Sequence, residues 1–144
     1  MGGTSDGIAA ADWDRVHELA LAIVNAEEDS SEEIACRTQL LNYLDALAEK
    51  YGELPGLLAT RADYIDDTEE TERLLLRACD LAAQTGDTRN GCLISLSLAE
   101  LYVSERLRPV AARASLEKAR AHMSPDDESS WAESCRIEKR LEKF

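Results

Sequence analysis

The chain has 144 residues, 44% of them hydrophobic, 31% charged and only 5% aromatic, which matches one globular domain rich in helix formers. Its formal charge of −13 is unevenly placed: residues 1–105 hold 22 acidic and 7 basic side chains (−15), and residues 106–144 hold 7 and 9 (+2). An acidic surface repels phosphate, so nucleic acid is a poor partner, while a basic protein or peptide is a favoured one.

In chain order, residues 1–10 offer little to bury and are expected to form a flexible tail. A first helix follows from Asp12 to about Ala26, with Trp13, Val16, Ala20, Ile23 and Val24 on one broad stripe. Ser30 and Glu33 fit a capping box for a second helix that runs to about Tyr51, where Gly52 stops it. Pro55 suits the first turn of a third helix carrying Leu58, Ala62 and Ile65. The acidic run Asp66–Glu70 then opens a fourth, since carboxylates favour a helix N-terminus. Gly86 ends that helix and Asp87 caps the fifth.

The fifth helix, "TRNGCLISLSLAELYV", carries an apolar arc too wide for one neighbour and reads as a helix sandwiched between others. Pro109 starts a sixth helix, with Ala112, Leu116, Ala119 and Met123 on one face. A more polar seventh helix begins near Glu128. The fold class is therefore all-α, with about seven helices joined by short turns that force sequential helices antiparallel. An up-and-down helical bundle would share this periodicity.

Spacing narrows the choice. Tyr64 to Tyr102 is 38 residues and Ala78 to Ala119 is 41, a period expected of stacked helical hairpins. In "LAELY" the pair Leu98-Ala99, followed by Tyr102, then Ala112, Ala119, Pro125 and Trp131, resembles the tetratricopeptide repeat over roughly a third of the chain. The resemblance implies antiparallel hairpins stacked as a short right-handed superhelix: one domain over residues 11–144, closed by a polar capping helix from about residue 127. Arg61, where the family has a small residue, and Cys135 and Glu138 in the last helix depart from its pattern. The resemblance also implies a concave groove lined by the first helix of each hairpin. Here that would be Leu58, Ala62 and Ile65, then Leu93, Leu96, Ser97, Glu100, Val103 and Ser104. The Lys and Asn positions with which relatives clamp a peptide's terminal carboxylate are missing.

Motifs of catalysis and cofactor binding are missing too: the sequence has no HExxH, no GxSxG and no phosphate-binding glycine loop. No catalytic, cofactor-binding or metal-ligating residue is therefore expected. His17 and His122 are far apart in sequence, and Cys36, Cys79, Cys92 and Cys135 lack zinc spacing. Cys79 and Cys92, equidistant from the Gly86 turn, could meet in a hairpin as a redox pair or act as plain core residues. The start lacks the basic residues of a signal peptide, Asp6 breaks the myristoylation pattern, and the longest apolar run, Leu19–Val24, is too short to cross a bilayer.

The sequence therefore reads as a cytoplasmic, non-enzymatic protein-interaction module without cofactor. Its groove would take a peptide or protein segment with apolar anchors and basic flanks. The alternative is a dedicated chaperone or neutralising, immunity-type partner of a basic secreted or toxic protein.

Overall fold

A computed structural model describes residues 4–144. Over these residues the chain forms seven helices and no strand: α1 (Ala10–Asn25), α2 (Ser31–Tyr51), α3 (Pro55–Asp63), α4 (Thr68–Thr85), α5 (Thr88–Ser104), α6 (Pro109–Ala121) and α7 (Glu128–Leu141). Links of two to six residues join them. No helix among the described residues is long and apolar enough to cross a membrane.

Local chemistry sets most of these boundaries. The Ser30 side chain accepts from the Glu33 amide at 3.1 Å, as a capping box requires. The reciprocal half is shifted, because Glu33 Oε2 accepts from the amide of Asp29 at 2.7 Å rather than from that of Ser30. Asp67, Asp87 and Asp127 cap α4, α5 and α7 through their carboxylates. Pro55 and Pro109 open α3 and α6. Gly86 closes α4 in the left-handed conformation, φ 71°, which glycine adopts without a Cβ penalty.

The third helix is shorter than its apolar pattern implies. It ends at Asp63, and Tyr64 leaves helical geometry at φ −119°. Ile65, expected on this helix, therefore belongs to the link that follows.

Packing divides the buried side chains into two clusters. The smaller holds Val16 and Leu19 of α1, Leu40, Leu44 and Leu47 of α2, and Leu57. The larger gathers α3 to α7 around Ile94, Leu98, Ala99, Leu116 and Ile137. Helix α3 is the seam between them: Leu57 points into the first cluster, and Leu58, Ala59 and Ala62 pack on the second. As its wide apolar arc requires, α5 touches α3, α4, α6 and α7. Ala99, Ala112 and Ala119 are fully buried in the cluster that α5 and α6 share.

The N-terminal segment differs from its expected flexibility over its described part; residues 1–3 lie outside the described residues. Ile8 is fully buried in the first cluster. Asp6 Oδ2 accepts a 2.7 Å hydrogen bond from the amide of Gly56, in the first turn of α3. Ser5 donates to Asp87 at 3.1 Å. One apolar residue and two short polar ones are enough to fasten the segment across the starts of α3 and α5.

Candidate functional site

Helices α3, α5 and α7 lie in sequence against one another, with α5 in the centre. Between them opens a concavity of about 500 Å³. Its long side is one stripe of α5, formed by Leu93, Leu96, Ser97, Glu100, Leu101 and Ser104, with Glu105 just past the end of the helix. Spacings of three and four residues place these on one helix face. Asp63 of α3 with Thr71 and Leu75 of α4 form one wall, and Ser129, Ser130 and Glu133 of α7 form the other.

The floor is apolar and the rim carries four carboxylates, Asp63, Glu100, Glu105 and Glu133. Glu133 is paired with Arg136, beside it on the same helix. Glu100 Oε1 meets Arg140 Nη1 of α7 at 2.6 Å, while its Oε2 is buried with no hydrogen-bond partner. A buried acceptor left in that state costs roughly 1–3 kcal/mol. Asp63 is open to solvent but lies within the concavity, and lost hydration there pushes its carboxyl up. Neither Asp63 nor Glu105 has a basic partner among the described residues. A cationic group entering the concavity would meet unsatisfied negative charge above an apolar floor.

Of the nine groove residues expected from sequence, Leu93, Leu96, Ser97, Glu100 and Ser104 line this concavity. Leu58, Ala62, Ile65 and Val103 do not. Ala62 and Val103 are each 4% exposed, Leu58 packs against the same core, and Ile65 lies beyond the end of α3. Leu96 is 5% exposed, so Leu93, at 40%, is the principal apolar residue on offer. The wall from α7 was missed because that helix reads as a polar cap. Its serines and Glu133 at three- and four-residue spacing were the available signal.

The other reactive side chains are engaged elsewhere. Cys79 Sγ lies 4.0 Å from Ser95 Oγ, whereas Cys92 faces Ser130 of α7 and Asp127, which caps that helix. Burial pushes both thiols up, which disfavours the nucleophilic thiolate. All four cysteines are free. His122 and Asp127 line one small recess with Cys92, but both Asp127 oxygens are taken by Ser130, at 3.0 and 2.6 Å. His17 packs edge-on against Trp13 at 5.5 Å. Among the described residues no three His, Cys, Asp or Glu side chains are grouped to hold a metal ion. Comparison with known proteins gives no match to a family model, a curated protein or a solved structure.

Proposed function

We propose that this chain is a non-enzymatic protein-interaction module that holds a partner's segment in the concavity of α3, α5 and α7. The observation that carries the reading is the exposed Leu93 sharing one concavity with the unpaired carboxylates of Asp63 and Glu105 and with Glu100, whose Oε2 has no hydrogen-bond partner. The segment that suits it has an apolar anchor beside a lysine or arginine. The contact order α3, α5, α7, with α4 and α6 also packed on α5, supports a tetratricopeptide-like stack in which such grooves form. The engagement of Cys79, Cys92 and Asp127 in packing and capping supports a role in contact over catalysis. Four free thiols suit a reducing compartment such as the cytoplasm.

The test is fluorescence anisotropy with synthetic peptides that pair leucine or phenylalanine anchors with flanking Arg/Lys, at low and high salt. Binding should weaken as salt rises. It should fall on Leu93→Arg and on Glu100→Gln while far-UV helicity is unchanged. Binding unimpaired by both substitutions would move the site elsewhere.

A second reading is favoured by the −15 balance of residues 1–105, which extends far beyond the concavity. A dedicated partner of one basic secreted or toxic protein would use that whole surface. It would form a single tight complex, lost at high salt and little affected by Leu93→Arg.

A further inference from the structure

We propose that the chain associates head to tail with a second copy of itself, an apolar knuckle at one end seating in a notch at the other. The knuckle is the turn end of the α1–α2 hairpin. Leu21, Val24 and Ile34 are 60%, 74% and 59% exposed there. Helix α3, which packs next along α2, is only 9 residues long. Asp66, just past its end, is level with Arg37 at 3.3 Å, so hairpin residues nearer the turn project beyond α3. Helix α1 accordingly packs on α2 and not on α3, although α3 packs on α5 and α5 on α7. Glu27, Glu28, Asp29 and Glu32 surround the knuckle, and none has a basic partner among the described residues.

The notch lies at the opposite end of the helix order. Pro109, Val110, Arg113, Ala114 and Glu117 of α6 form it with Leu141 of α7. Val110 is 84% exposed and the nearby Leu107 is 65% exposed. Leu107 is also held at φ 51°, a left-handed conformation that costs a non-glycine residue roughly 1–2 kcal/mol. The turn keeps that conformation because Arg106 and Arg108 both reach Glu72, at 3.4 and 3.6 Å, and the Arg108 amide bonds the Tyr102 carbonyl at 2.8 Å. Such a turn presents a leucine to solvent at a fixed angle. Arg113, Lys139 and Lys143, on or near this end, have no acidic partner among the described residues.

Charge selects the occupant. One end joins exposed apolar side chains to four free acids, and the other joins them to three free bases that outnumber the free acids Glu117 and Glu142. Two knuckles facing each other would set acid against acid; knuckle against notch sets acid against base. A contact between two different surfaces of one chain is heterologous, so it continues into chains or rings.

Sedimentation velocity over a concentration series at low and high salt tests this. The wild-type chain should sediment faster as concentration rises, and less so at high salt. Val24→Asp and Val110→Asp should each weaken association about tenfold or more. Mixing the two should restore a dimer and nothing larger, because one intact knuckle and one intact notch remain. Leu21→Asp and Leu107→Asp form a second pair with the same expected outcome should either first variant lose helicity by circular dichroism. A wild-type chain that stays monomeric throughout, single-face variants that assemble like wild type, or a mixture that remains monomeric would each overturn the proposal.

Discussion

The phenol of Tyr102 on α5 donates a 2.7 Å hydrogen bond to Oε2 of Glu72 on α4, and that carboxylate also meets Arg106 and Arg108 of the following turn. Burial, then the hydrogen bond to Glu72 and its charge, push the Tyr102 phenol up to about 12 from its usual 10.0. The folded state therefore holds this proton more tightly than the unfolded chain. The stabilisation is complete below pH 10 and is lost as pH rises toward 12, a change of about 2–3 kcal/mol. Urea titrations across that window should show the decline. Tyr102→Phe should cost about 1–2 kcal/mol at neutral pH and flatten the alkaline loss.

Asp6 acts as a helix cap supplied from fifty residues away. The residue that precedes α3, Leu54, offers no capping side chain, and the Gly56 amide finds Asp6 instead. Asp6→Ala should cost about 1 kcal/mol, typical of a lost cap, and speed hydrogen exchange at the buried Ile8. A Cβ on Gly56 would stand 2.8 Å from Asp6 Oδ2, so Gly56→Ala must displace the cap. In the Asp6→Ala background that clash is gone and alanine's helix propensity remains. Gly56→Ala should then turn from destabilising to neutral or stabilising, a coupling that a double-mutant cycle reads directly.

Sequence legibility followed the range of the interactions. Ser30, Pro55, Gly86, Asp87 and Pro109 act within a few residues of themselves, and the helix boundaries they imply are the observed ones to within a residue. Five of the six α5 residues expected in the groove line the concavity for the same reason, since one helix face is a property of spacing alone; Val103 turns into the core. The folding of residues 4–9 was not, because Asp6 and Ile8 find their partners only in the tertiary structure. The α3 contribution to the groove failed on a related point. A helix of 9 residues that bridges two cores has no apolar side chain to spare, and Leu58 and Ala62 turn inward. The wall from α7 required knowing that a polar helix would pack against α5.

The four thiols should separate by reactivity. Cys135 is exposed and Cys36 is half-buried, whereas Cys79 and Cys92 are 6% and 3% exposed with thiols pushed up by burial. Iodoacetamide under native conditions, read by mass spectrometry, should modify Cys135 first and Cys36 next. Cys79 and Cys92 should stay unmodified until denaturant is added. A disulfide between Cys79 and Cys92 after mild oxidation of the folded protein would contradict their placement against Ser95 and Ser130.

Ala99 tests the stacking of α5 on α6 most directly. It is fully buried, as are Ala112 and Ala119 in the same cluster. Interiors are packed too densely to admit three further carbon atoms without displacing neighbours. Ala99→Leu should therefore overpack the cluster and cost about 1–3 kcal/mol, read as a lower urea midpoint with an unchanged slope. The same substitution at Ala46, an exposed position on α2, should leave the midpoint nearly unchanged. Equal effects at the two sites would mean that Ala99 does not sit in a close helix contact. A loss confined to Ala99 ties the small residues of "LAELY" to the approach of two helices, the physical content of the repeat pattern read in this stretch.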